Sequence, residues 1–190
     1  MTYEQNQYFT DTTQLSNGAV LYYNWNCDST WLIFSNKKEQ VILKSCFDSD
    51  PIMCSRLGLN YIKEYPNYLL FTHEWISGCC TPHDLVFIDK ESGKEKERIT
   101  NALFVWGDTD KDYSLFFSDS TYTSLIYLNH KSDQKFIYQF EEGKVFNSVK
   151  KHSVLQISNL FDNFRNENEY FLFDFKNNMG NSEKVKFKIE

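Results

Sequence analysis

Proline and glycine are scarce in this chain, with three and seven among 190 residues. That excludes collagen-like and low-complexity classes, which need these residues in bulk. No apolar run approaches the roughly eighteen residues that a helical membrane span requires. The stretch from Met1 to Gln14 has no basic region followed by an apolar one, so no secretory signal is visible. A cytoplasmic chain is the default expectation, or an exported one whose leader has been removed. Glycine-rich phosphate and dinucleotide loops, the nucleophile elbow and the two-histidine zinc-protease motif are all missing. Nothing in the sequence therefore predicts a cofactor. Basic side chains are outnumbered, 20 against 26, for a formal net charge of −6. A nucleic-acid binder needs a basic stripe, so nucleic acid is not expected as a partner. An acidic surface instead attracts basic proteins.

Aromatic residues are abundant: 17 Phe, 12 Tyr and 4 Trp. Flat rings pack well on a pleated sheet, which favours strands. The patterning agrees. Short apolar runs such as "TWLIFS" from Thr30, "QVILKS" from Gln40, "DLVFID" from Asp84 and "SLIYLNH" from Ser124 are bounded by polar turn clusters. Further strands are expected at "NYLLFTHEW" (from Asn67), "DYSLFFSDS" (Asp112), "KFIYQF" (Lys135), "SVLQIS" (Ser153), "EYFLFDF" (Glu169) and "KVKFKIE" (Lys184). No stretch of ten or more residues carries a convincing helical period. "LFDNFRNENEYF", from Leu160, holds too many Asn and Asp residues, and its first part reads as loop.

The order of these runs suggests repetition. Phe34, Phe71, Phe117 and Ile157 recur roughly every forty residues, the spacing of four-stranded propeller blades. The expectation is one all-β domain over 1–190, built of repeated antiparallel hairpins. It is β-propeller-like, with about four degenerate blades near 18–50, 57–99, 102–140 and 145–190. A β-sandwich or open barrel is the alternative, since a meander also gives hairpins at regular spacing.

Candidate chemistry concentrates in "THEWISGCCTPHD", Thr72 to Asp84. Cys79, Cys80 and His83, with His73, form the one Cys/His cluster. Adjacent cysteines lack the two-to-four-residue separation of a structural zinc site, so a metal there is a weak alternative. All five cysteines precede residue 81. Cys54 with Cys79 or Cys80 is the disulfide candidate, subject to geometry. Asp108, Asp110 and Asp112 alternate as in a calcium loop, but Tyr113 stands where the sharp-turn glycine belongs. A solvated turn is the simpler reading.

Function concentrates on loops held by a rigid scaffold. The longer connections carry His73, Trp75, His83, Asp119, Tyr122, Phe161, Phe164 and Arg165, and these are the expected interface residues. No catalytic residue is assigned. The expected function is a non-enzymatic module that binds another protein through this long-loop face, as an inhibitor or immunity-type protein does. A Cys/His-based enzyme or metal protein is the first alternative. A binder of carbohydrate or another small ligand is the second.

Overall fold

The computed structural model describes residues 12–25, 29–46, 58–74, 83–100, 102–103, 112–154 and 156–189. Trp75, Cys54, Cys79, Cys80, Asp108 and Asp110 lie outside them. The strands are β1 (Thr13–Gln14), β2 (Val20–Trp25), β3 (Thr30–Ser35), β4 (Gln40–Cys46), β5 (Gly58–Glu64), β6 (Tyr68–Glu74), β7 (Asp84–Asp89) and β8 (Glu95–Ile99). There follow β9 (Tyr113–Phe117), β10 (Ser124–Asn129), β11 (Gln134–Gln139), helix α1 (Lys144–His152), β12 (Phe161–Glu167), β13 (Tyr170–Lys176) and β14 (Ser182–Lys188). They form four separate antiparallel sheets, β1-β2-β3-β4, β5-β6-β7-β8, β11-β10-β9 and β12-β13-β14.

The all-β, antiparallel expectation holds, and the propeller does not. The four sheets neither close into a barrel nor curl into a propeller. Propeller blades repeat one four-stranded unit around one axis. Here two sheets have three strands, and a helix interrupts the series. The chain instead divides into two compact units, Met1–Ser77 with Asp84–Arg98, and Gly78–His83 with Ile99–Glu190. Each unit has its own hydrophobic core.

In the second unit, strict alternation builds the core. Phe171, Phe173 and Phe175 of β13 are buried, while Tyr170, Leu172 and Asp174 between them are half-exposed. Opposite them, Val185 pairs with Phe173, and Phe187 with Phe171. The facing sheet contributes Tyr127, whose ring lies 4.9 Å from Phe171 and 5.0 Å from Tyr113. Such offset and tilted ring pairs add attraction beyond burial alone.

Two expectations in this unit fail for local reasons. "SVLQIS" is not a strand, because Ser153 closes α1 in the left-handed conformation (φ 48°) and Ile157–Leu160 form a 3-10 turn. The helix escapes a periodicity search because it buries only Val145 and Ser148, with Val149 partly covered. Meanwhile "FDNFRNE" is strand β12 and not a loop. Its register shifts between Asp162 and Arg165, and Asn163 takes φ 55° there. A bulge of this kind inserts one extra residue. It turns Phe161 and Phe164, three apart, toward the same core.

In the first unit, Leu21, Leu32 and Phe34 of one sheet and Leu69, Phe71, Val86 and Ile88 of the other share a core. Two contacts tie these sheets together. The ring of Phe34, fully buried, presses on the turn after β7, so that a Cβ at Gly93 would lie 2.4 Å from it. Gly93 also has φ 65°, in the left-handed region that favours glycine. Beside it, Lys90 donates to Glu64 (2.8 Å) and to the Ser16 hydroxyl (3.0 Å), while the Ser16 amide donates to both Glu64 oxygens. Lys90 is only 8% exposed, so these partners offset the cost of burying its charge.

Burial pushes the Glu64 carboxyl up, but hydrogen bonds from Lys90 and Ser16 outweigh it and hold it below its ordinary 4.5. Glu64 therefore stabilises the fold above pH 4.5, and that contribution fades as pH falls through the lower, folded value. Glu64→Gln is predicted to lower stability at pH 7 by about 1–3 kcal/mol. It also flattens the acid limb of the stability curve, as read by urea unfolding from pH 3 to 7. Gly93→Ala is predicted to cost about 1–3 kcal/mol by forcing Phe34 off its site, measured the same way.

Candidate functional site

A concave site lies in the first unit. It is a crevice of about 510 Å³, with β4 on one wall and β5, β6, β7 and β8 on the other. Its apolar lining is Val41, Ile42, Leu43, Leu59 and Ile88, and its polar lining is Lys44, His73, Lys94, Glu95 and Arg98.

The backbone explains why consecutive residues of β4 reach one cavity. Leu32 pairs with Lys44 and Ile33 with Ile42, so Leu43 is an extra residue in β4. The bulge breaks the two-residue alternation and re-aims the side chains around it. Gly58 opens the floor below. A Cβ there would come within 2.7 Å of Lys44 Cε, and Gly58 has φ 86°. The left-handed φ, more than the flexible end of Lys44, is what favours glycine here.

A charge cluster borders the crevice. His73 and Asp84 are directly opposed partners on β6 and β7. Their side chains are 16% and 7% exposed, with His73 Nδ1 3.9 Å from Asp84 Oδ2. Arg98 grips Glu95 through Nε (3.0 Å) and a terminal nitrogen (2.7 Å), and its other terminal nitrogen lies 3.5 Å from Asp84. Bidentate guanidinium–carboxylate pairs of this kind fix orientation as well as charge. Burial, then the positive charge of Arg98, push the His73 imidazole below its ordinary value of 6.5, with Lys44 adding to the effect. Asp84 and Glu95 oppose that shift without cancelling it. His73 is accordingly neutral at pH 7, able to donate with one ring nitrogen and accept with the other. The hydrogen bonds from Arg98 hold the Glu95 carboxyl below its usual range, so it stays charged.

The residues singled out in the sequence are scattered. His73 is on β6 in the first unit, whereas His83 precedes β7 and belongs to the second. Asp119 accepts bonds from Ser118 and Thr121 within its own hairpin. Tyr122 (φ 57°) packs its ring 5.3 Å from Phe117. Phe161 is a core residue, 6% exposed, and Phe164 stacks 6.2 Å from Phe171. Both were expected on a loop, and β12 places them on a sheet. Arg165, also on β12, is exposed and pairs with Glu167 at 2.7 Å. Asp112 pairs with Lys131 at 2.6 Å. Among the described residues, no three His, Cys, Asp or Glu side chains are grouped to hold a metal ion. No helix among the described residues is long and apolar enough to cross a membrane.

Lys44, Lys94, Glu95 and Arg98 were not singled out, because the unbroken charged run from Lys94 to Arg98 looks like a solvated segment and Lys44 is a lone charge in an apolar strand. The glycine at 58, opening a strand, was the available signal.

The electrostatics are checked by following the His73 ring by NMR from pH 4 to 9. Its midpoint is predicted below 6.5, and Arg98→Met is predicted to raise it. A midpoint above 6.5 contradicts the arrangement. The chain matches no protein-family model and no curated protein.

Proposed function

We propose that this protein is a non-catalytic binding protein for a small organic ligand, taken up in the crevice of the first unit. The observation that carries this reading is the combination of an apolar floor with convergent polar groups in one concavity. Small-molecule sites have this composition, with a few placed polar groups giving orientation. The volume, about 510 Å³, falls in the range such ligands need. A protein-binding face on the long loops draws less support. Phe161, Phe164 and Arg165 are strand residues, and Asp119 and Tyr122 serve their own hairpin.

One feature favours a second reading. The neutral His73 imidazole lining the crevice is a candidate general base, with Asp84 Oδ2 3.9 Å from its Nδ1 and not hydrogen-bonded to it. In that reading His73 removes a proton from a crevice-bound substrate. Turnover that His73→Gln abolishes while ligand affinity persists distinguishes it from binding alone.

The binding reading is tested with a library of small organic molecules and amide-resolved NMR. Hits are predicted to shift the amides of Ile42, Lys44, Gly58, Leu59, His73 and Arg98 together. Strands β9 to β14 are predicted to stay unshifted. Hits that leave the crevice amides unchanged, or no hit at all, contradict the reading.

A further inference from the structure

We propose that two copies of this chain associate through the open edge of β11. The sheet β11-β10-β9 then continues across a two-fold axis into the same sheet of the second copy. This surface belongs to the second unit, and the proposal does not rest on the crevice.

The edge of a sheet carries unpaired backbone groups and is a template for a further strand. The two sheets of the second unit have β9, β11, β12 and β14 at their edges. Three of these are protected. Ala102 bridges to Phe116, and the Leu103 amide donates to the Leu115 carbonyl, which covers β9. The register shift between Asp162 and Arg165 bends β12. β14 exposes Lys184, Lys186 and Lys188, and lysines along an edge oppose pairing. β11 lacks these devices. It runs in unbroken register with β10, contains no proline and carries one lysine. Among the described residues, no strand pairs with its other side. Ile137, near its middle, is 59% exposed.

The ladder fixes which backbone groups face outward. The Phe140 amide donates to the Thr123 carbonyl, at the end of the β10–β11 pairing. Backbone direction alternates along a strand, so Tyr138, Phe136 and Gln134 also turn toward β10. Lys135, Ile137 and Gln139 therefore direct their N–H and C=O groups away from it. These three positions are symmetric about Ile137. A two-fold axis through Ile137 pairs all of them, Ile137 with Ile137 of the second copy and Lys135 with Gln139 of the second copy. The charge of Lys135 then meets a neutral amide, and no like charges are opposed. A register centred on Lys135 instead opposes two lysines and leaves Gln139 unpaired. The central register also sets Phe136 beside Tyr138 of the second copy, an aromatic cross-strand pair on the core face. This match of the strand to itself favours a second copy over a strand of unrelated sequence.

The test is the mass of the full chain by sedimentation equilibrium over a range of concentrations. The mass is predicted to rise from one chain to two as concentration increases, and to fall again on dilution. Ile137→Pro removes an amide that faces away from β10, so it leaves the β10–β11 ladder in place. It is predicted to give a single chain at every concentration, with the amide spectrum confirming the fold. Ile137→Lys places two ammonium groups together on the axis. It is predicted to raise the dissociation constant about tenfold or more, with added salt restoring part of the association. This variant decides the matter if Ile137→Pro does not fold. In a mixture of labelled and unlabelled chain, contacts between copies are predicted from Phe136 to Tyr138. A single chain at every concentration overturns the proposal, as does a dimer whose mass neither variant changes. Contacts between copies that avoid β11 overturn it as well.

Discussion

The contact on which the first unit depends is the ring of Phe34 against the bare backbone of Gly93. Phe34 belongs to one sheet and Gly93 to the turn between β7 and β8 of the other. Any side chain at Gly93 would occupy the ring's volume, and a close-packed interior has no slack to absorb it. The Ser16–Glu64–Lys90 cluster braces the sheets beside this point with hydrogen bonds to a nearly buried ammonium. Asn17 and Asn36 extend the brace by donating to the carbonyls of Lys90 and Glu91, each at 2.7 Å. The turns after β1, β3, β5 and β7 are thereby locked into one end of the unit. The same turn after β7 leads from Gly93 into Lys94, Glu95 and Arg98. The packing that seats Phe34 therefore also aims one wall of the crevice.

Along that wall the charges are arranged in order of commitment. Arg98 is held by Glu95 and approached by Asp84, and Asp84 stands opposite His73. Each partner limits the freedom of the next, which is what a binding site needs if affinity is not to be spent on ordering side chains. The bulge at Leu43 performs the matching task on β4, bringing apolar and cationic residues to one cavity. A regular strand would send half of them to the opposite face.

Much of the strand pattern was legible in the sequence. "TWLIFS" and "DLVFID" are β3 and β7 residue for residue. Their apolar content and polar boundaries leave few alternatives. What escaped was governed by irregularity. A single residue in the left-handed conformation at Asn163 makes "FDNFRNE" a strand whose buried residues are three apart, which no two-residue period detects. A rough repeat of apolar positions, Phe34, Phe71, Phe117 and Ile157, suggested a propeller, but similar hairpins recur in any antiparallel chain, and the spacing says nothing about closure. The candidate site was legible only through His73. The Cys/His stretch drew attention to it for its cysteines, whereas its electrostatic neighbours are Asp84, which closes that stretch on β7, and Arg98 and Lys44 from β8 and β4.

The crevice between β4 and β8 is proposed to take up a small organic ligand. The most direct measurement is a crystal structure of the full chain with the tightest hit of the small-molecule screen. The hit is predicted to lie on Leu43 and Leu59, with a polar group within hydrogen-bond reach of His73 or Arg98. A hit bound elsewhere, with the crevice unoccupied, contradicts the proposal.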